Sequence, residues 1–225
     1  MKIFRFDSLP STQDEIKKPE YDCGEDVAVT ADRQTAGRGT KGRSFSSEDG
    51  GLFVSFSFRG GRLPAEKAFS LAMNYSLAVT ETLRDAGVDA LIKWPNDVFA
   101  RGKKICGMLI ENHIDNGLIA RSFVGIGINV NNELPAELES IATSVKKITG
   151  KEADKSALLS KLIENVYRDY PPALYKKRSC VLGRHILVTR GGEAFTAVAK
   201  DVLEDGRLLL SGGEILSSGE VSVRF

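Results

Sequence analysis

Apolar residues recur with two different periods along this chain, and the changes of period lay out its elements. Residues 51–58, GLFVSFSF, alternate: Leu52, Val54, Phe56 and Phe58 share one face, and Phe53, Ser55 and Ser57 the other, which predicts a strand. Residues 2–6, KIFRF, alternate in the same way, and 26–31, DVAVTA, is a strand segment rich in β-formers. Over 64–86 the period lengthens. Ala68, Leu71, Ala72, Tyr75, Ala78, Val79 and Leu83 recur at helical spacing, with Pro64 at the start and Gly87 at the end. This is a core helix packed on a sheet, with no chemistry of its own. Residues 11–18, STQDEIKK, read as a helix start, Thr12 and Glu15 having capping-box spacing.

Further strands are predicted at 90–94, 97–100, 104–111 and 118–130. Arg101-Gly102-Lys103 and Asp115-Asn116-Gly117 between them are hairpin signals, so neighbouring strands should run antiparallel. Residues 131–153 are polar and loop-rich with short helix. Residues 154–178 read as a helix with Asp154 near its start, interrupted by Pro171-Pro172. After Ser179 the texture changes to short β-rich runs separated by Gly-Gly, Asp-Gly and Ser-Gly turns, which suggests a small all-β barrel. Two domains are therefore expected, 1–178 and 179–225.

Composition narrows the function. At 225 residues, 42% hydrophobic and 27% charged, the chain can bury a real core. Lys and Arg number 31 against 30 Asp and Glu, a net charge of +1, which argues against a surface built throughout for nucleic acid. A local basic loop inside a neutral chain points to a small anion. Cys23, Cys106 and Cys180 are odd in number, widely spaced and without a C-x-x-C, so neither a disulfide scaffold nor a zinc site is expected. The start, MKIFRFDSLP, lacks the apolar core of a signal peptide, and no apolar run is long enough to span a membrane. A cytoplasmic protein is expected.

The basic loop is AGRGTKGR, residues 36–43. Gly37, Gly39 and Gly42 have the G-x-G-x-x-G spacing of a dinucleotide-binding turn, which requires a helix directly after it. Turn residues and then a strand come next instead, so that reading fails. Arg38 can still grip a carboxylate or phosphate with paired hydrogen bonds, and the glycines allow close approach and movement. Taken alone, the loop also reads as a surface turn with solvated charges. In KWPND, 93–97, Pro95 fixes a turn and holds Trp94 extended, projecting Lys93, Asn96 and Asp97 from a strand end. A Trp-Pro packing corner is the alternative. KICGMLIE, 104–111, carries Lys104 at a strand start and Gly107 inside the strand, where glycine often marks close approach of a ligand or another backbone. Alone, Lys104 reads as a solvated edge lysine. GIGIN, 125–129, ends an apolar strand on Asn129, a side chain able to read a base edge, although its glycines also suit core packing.

In this order the segments resemble the biotin protein ligases, whose motifs are S-T-N, Q-x-x-G-R-G-x-x-G-R, K-W-P-N-D, K-x-x-G-[IM]-L-x-E and G-x-G-x-N. The chain reads STQ at 11–13, QTAGRGTKGR at 34–43, KWPND at 93–97, KICGMLIE at 104–111 and VGIGINV at 124–130. Its last residues, SSGEVSVRF, look like the end of the family's small β-domain. The resemblance covers nearly the whole chain.

The resemblance implies an α+β fold: a mixed, largely antiparallel central sheet with helices on one side, similar to class II aminoacyl-tRNA synthetases, and an SH3-like β-barrel after it. It implies a ligase that uses ATP and magnesium to activate biotin as biotinyl-5′-AMP. The biotinyl group then passes to a lysine of a biotin carboxyl carrier protein, the carrier subunit of acetyl-CoA carboxylase for example. By motif position, Ser11, Thr12, Gln13, Gln34, Gly37, Arg38, Gly39, Thr40 and Lys104 match biotin-binding residues, with Gly107 on the pocket wall. Hydroxyls and amides there suit a ureido group, which is costly to bury unpaired. Arg38, Arg43, Phe45, Lys93, Trp94, Asn96, Lys104 and Asn129 fall on the ATP or adenylate side. Arg38 and Lys104 supply the fixed positive charge that two reacting anions require. Asp97 orients either magnesium or the incoming lysine amine. No nucleophilic residue is needed, because the adenylate is itself activated.

Three departures stand out. Gln13 replaces the common Asn, Phe45 stands where tryptophan is common, and Thr40 lies where many members carry an arginine that helps hold the adenylate. Weaker adenylate retention is the consequence expected of the last. Glycines and repelling charges should leave 37–46 mobile without ligand. Two rivals are a lipoate or octanoate ligase of the same superfamily, which needs a pocket without ureido partners, and a biotin-responsive DNA regulator. GRGTKGR and KWPND favour biotin. The first motif begins at residue 11, before which an added helix-turn-helix has no room, so no DNA partner is expected. Members of the family often dimerise through sheet edges, a role the 104–130 strands would take.

Overall fold

The computed structural model describes residues 1–59, 63–217 and the backbone of 221–224. The chain begins with β1 (Lys2–Leu9), the one-turn helix α1 (Thr12–Glu15), β2 (Val27–Gln34) and β3 (Leu52–Arg59). The long helix α2 (Ala68–Asp85) leads to β4 (Leu91–Lys93), β5 (Asp97–Ala100), β6 (Lys103–Asp115) and β7 (Leu118–Ile128). Three helices come next, α3 (Val145–Thr149), α4 (Lys155–Val166) and α5 (Pro172–Arg178). The large sheet has the order β1-β2-β3-β7-β6-β5-β4. Only β1 against β2 is parallel; every other pairing is antiparallel, as the hairpin signals require.

The period-two pattern sorts the two faces of this sheet. Leu52, Val54, Phe56 and Phe58 of β3 join Val124, Ile126 and Ile128 of β7 in one core with Tyr75, Ala78, Val79 and Leu83 of α2 and Leu158, Leu159 and Leu162 of α4. The opposite face carries Ser55, Gly107, Gly125 and Gly127, and α1 packs there. A smaller core, with Leu9, Ile16, Tyr21, Val27 and Val29, seats α1 beside β2.

Local chemistry sets the element ends. Ser11, not Thr12, caps α1: its hydroxyl accepts the Asp14 N–H at 3.3 Å. Glu15 closes no capping box. Its carboxylate instead accepts the Tyr21 hydroxyl at 2.8 Å and pairs with Lys18 at 2.7 Å. Burial, and then the bond to Glu15, push the Tyr21 phenol up to about 12. Pro64 precedes a single 3-10 turn, Ala65–Lys67, before α2 begins. Gly87 stops the helix at φ +79°. Asp154 caps α4, and Pro172 opens α5.

The C-terminal region forms a second, antiparallel sheet from β8 (His185–Arg190), β9 (Glu193–Val202), β10 (Leu208–Leu210), β11 (Ile215–Leu216) and β12 (Val221–Arg224). Its order is β11-β10-β9-β8-β12, and among the described residues β11 and β12 do not pair to close it. In SSGEVSVRF, residues 218–220 and 225 lie outside the described residues. The sheet does not stand apart: Ile186, Val188, Val202, Leu208 and Leu210 share one core with Leu77, Ile92, Trp94 and Tyr175 of the first region.

The 104–130 stretch is mostly interior. β7 lies between β3 and β6, so it is no edge. β5 accompanies β6 only from Lys103 to Gly107, and among the described residues no strand lies beside the outer side of 108–115.

Candidate functional site

Three glycines open a space on the sheet. Gly107 pairs with Gly127 and Leu109 with Gly125, so β6 and β7 present bare backbone side by side. The ring of Phe45 lies on this floor: a Cβ on Gly127 would stand 2.6 Å from it, and one on Gly107 3.0 Å. Gly125 makes room for Gln13, whose Oε1 would be 2.7 Å from a Cβ there.

The cavity above has a polar end and a charged end. At the polar end Thr12 donates to Gln34 Oε1 from its backbone N–H at 2.8 Å and its hydroxyl at 3.0 Å. The Thr12 hydroxyl is also 2.9 Å from Ser55 Oγ, and Gln34 Nε2 donates to Ser47 Oγ at 2.8 Å. At the charged end the Lys104 ammonium lies 2.7 Å from Asp97 Oδ1 and 5.8 Å from the centre of the Phe45 ring. Arg38 reaches in from the loop on the α1 side instead, beside Gln13 and Glu111: it pairs with Asp14 and stands 3.6 Å from Glu111 Oε1. Burial on its own raises the Glu111 pKa. Hydrogen bonds from Lys17 and Gln13, with the charges of Lys17 and Arg38, outweigh it and hold the carboxyl below its ordinary range. The free volume is about 40 Å³, room for a few waters, with the Phe45 ring against its glycine floor.

The loop itself is a short hairpin. Phe45 N–H donates to Gly37 O and Gly39 N–H to Arg43 O, at 2.8 and 2.7 Å. Its tip is a 3-10 turn, Thr40–Gly42, and no helix lies between it and β3, so no helix dipole faces the glycines. Of the three, Gly42 has positive φ (+71°), while Gly37 is needed for close packing under the Phe45 carbonyl and Ser47 hydroxyl. A second, larger cleft of about 550 Å³ runs from this loop past KWPND to the small sheet at Arg207. Thr40 and Asp97 border both spaces.

The structure thus places Ser11, Thr12, Gln13, Gln34, Arg38, Gly39, Thr40, Phe45, Asp97, Lys104 and Gly107 around the first cavity. Arg43, Lys93, Trp94 and Asn96 border the second. Two expected residues border neither. Gly37 forms the neck of the hairpin. Asn129 is buried: it donates to Thr143 O at 3.1 Å and accepts from Asn132 at 3.2 Å, tying the end of β7 to the segment before α3. Trp94 meets both readings of KWPND. It touches the cleft, but it is 2% exposed and its indole N–H donates to Gly206 O at 2.9 Å. Asn96 donates to Met108 O at 2.6 Å and so holds the turn. Sequence reasoning missed Ser55 and Glu111. The polar face of GLFVSFSF signalled the first, and the last letter of KICGMLIE the second.

Two family models match. Residues 4–129 match the biotin/lipoate A/B protein ligase family, and 181–224 the biotin protein ligase C terminal domain. The chain belongs to the biotin/lipoate A/B protein ligase family. Among relatives of this ligase family, the bifunctional ligase/repressor BirA of Bacillus subtilis is 32% identical, over 92% of this chain and 69% of that protein. The biotin–[acetyl-CoA-carboxylase] ligase of Mycobacterium tuberculosis is 30% identical, over 87% and 78%. The chain spans 63% to 69% of the length of the Bacillus BirA relatives. A solved structure, the biotin protein ligase from Aquifex aeolicus in complex with biotin and ATP, aligns with a TM-score of 0.83 at 30% identity, over 99% of this chain and 98% of that one. The ligase-family match contains every residue of the first cavity, and the C-terminal match contains the small sheet. No helix among the described residues is long and apolar enough to cross a membrane.

Proposed function

We propose that the chain is an ATP-dependent biotin–protein ligase. The observation that carries this reading is the lining of the first cavity: ureido-matching hydroxyls and amides together with two cations, Lys104 and Arg38, around a glycine floor. Residues 1–178 would hold the chemistry, and 179–225 would complete the larger cleft.

The biotin carboxylate oxygen attacks the α-phosphorus of ATP, forming the acyl phosphate bond of biotinyl-5′-AMP while pyrophosphate leaves. A carrier lysine nitrogen then attacks the acyl carbon, the bond to AMP oxygen breaks, and the nitrogen loses a proton. Both anions must approach each other first. Lys104 and Arg38 offset their repulsion in a site shielded from water by Phe45 and the loop. Among the described residues no group of three His, Cys, Asp or Glu gathers to hold a metal. Asp97, a single carboxylate bordering both spaces, fits a magnesium ion that arrives on phosphates and keeps its own waters. That ion would offset phosphate charge; in the alternative role Asp97 would orient the incoming lysine amine. Association of two copies along 108–115 is the homodimer this fold allows.

Incubation with biotin, MgATP and a biotin carboxyl carrier domain, beside a parallel reaction with octanoate, tests the reading. A biotinyl mass shift on the acceptor lysine is expected. Octanoyl transfer in preference to biotin would overturn it in favour of a lipoate-type ligase.

A further inference from the structure

Gln13 has a buried oxygen without a partner. The residue is 4% exposed, and its Oε1 makes no hydrogen bond to protein. Burying an acceptor unpaired is unfavourable, and native structures retain such groups where something else satisfies them. Here Oε1 sits over the bare Cα of Gly125, and Ser55 Oγ lies close to the same position. Gln13, Gly125 and Ser55 all line the first cavity.

The orientation of the amide is determined by its other end. Gln13 Nε2 donates to Glu111 Oε2 at 2.7 Å and to the Phe123 carbonyl at 3.3 Å. Both partners can only accept, an ionised carboxylate and a backbone oxygen. Turning the amide over would set its oxygen against two other oxygens. Lys17 fixes the carboxylate in turn, donating to the same Oε2 at 2.6 Å. The chain Lys17–Glu111–Gln13 therefore leaves one outcome, an acceptor facing the cavity.

We propose that Glu111, secured by Lys17, is a positioning residue that makes the inner wall of the cavity select ligands with an N–H donor. This rests on the biotin-ligase reading, because the ureido ring supplies such donors. An octanoyl or lipoyl chain has none and would leave Oε1 buried and unpaired. Glu111 also stands 3.6 Å from Arg38, so its own variants report on both groups, and the Gln13 variant, which leaves that pair in place, isolates the amide.

The test compares Glu111→Gln with the parent. A glutamine at 111 presents either a donor or an acceptor, so Gln13 can turn over. The expected result is a KM for biotin raised about 10- to 100-fold. Glu111→Asp, which still only accepts, should recover part of the loss. Gln13→Met keeps the bulk and removes the acceptor, and it carries the test if the Glu111 variants do not fold. Calorimetric binding of biotin and octanoate to Gln13→Met should show biotin weakened about 10- to 100-fold and octanoate not weakened. Equal weakening of both ligands, or unchanged biotin affinity, overturns the inference and leaves the ligase reading standing. Failure of the parent to bind biotin overturns both.

Discussion

Lys104 lies 2.7 Å from Asp97 and above the Phe45 ring, where the polar cavity gives way to the larger cleft. A preorganised donor at such a place typically contributes about 10²–10³ in rate. Lys104→Gln should lower biotin-dependent pyrophosphate exchange by about that factor, and exchange at the parental rate would remove Lys104 from the chemistry. Thr40 borders both spaces and accepts from the Arg43 guanidinium at its carbonyl and hydroxyl, each at 3.3 Å. Thr40→Arg should slow release of the adenylate from the enzyme, and identical dissociation rates would count against weaker retention in this chain. Glu111 gives a pH prediction. Its folded pKa lies below the ordinary 4.5, so the stability its ionised form adds is fully present above that value and is lost as pH falls through the lower folded one. Glu111→Gln should flatten that part of the acid limb, measured as urea midpoints across it. At this scale Arg38, Lys104 and Gln34, whose charge and polarity are visible as letters, line one cavity. The sense of the Gln13 amide was not legible, because it depends on a partner 98 residues away. The partners of Asn129 were not legible for a similar reason: its amide meets Thr143 and Asn132 of the segment that follows β7.

At the scale of elements, period and punctuation carried most of the information. The alternation in GLFVSFSF separated the core face of β3 from the cavity face, and the hairpin turns gave the antiparallel order of β4 to β7. What alternation does not reveal is register. Gly107 opposite Gly127, with Gly125 two residues along, makes a floor only because β6 and β7 pair in that alignment. Gly127→Ala would bring a methyl group to 2.6 Å of the Phe45 ring and displace it. The expected effect is a biotin KM raised about tenfold or more, in line with overpacking of about 1–3 kcal/mol. An unchanged KM would show that Phe45 leaves the floor freely. The hairpin lays the Phe45 ring on the glycine floor, so a ligand seated there is expected to move it and then fix it again. Protease cleavage within 37–46 should slow when biotin and ATP are both present, and equal cleavage with and without them would contradict a closing loop.

For the whole molecule, the decisive feature is the core shared between the two sheets. The turn to β-rich texture after residue 179 predicted a second domain, and strand order bears out a second sheet. The packing-corner reading of KWPND allowed for a buried Trp94, but texture gave no sign that it anchors the small sheet. The Trp94 N–H reaches Gly206 O across a sequence distance of 112 residues, and Gly206 at φ +83° lies so near Phe69 that a Cβ would overlap the ring. Lys93, Asn96 and Asp97 flank this anchor, so the small sheet also holds the turn that borders both spaces. Trp94→Phe keeps the apolar contact but leaves the Gly206 carbonyl buried without its donor, at a cost of about 1–3 kcal/mol. For a chain of this length each kcal/mol corresponds to about 2–4 °C in Tm. If the two sheets are one cooperative unit, calorimetry of Trp94→Phe should show a single transition, as in the parent, lowered by about 5 °C. Biotin transfer should fall with it below the new Tm, because the turn loosens. Two separate transitions, or a parental Tm, would instead make the small sheet an independent attachment and place the control of KWPND elsewhere.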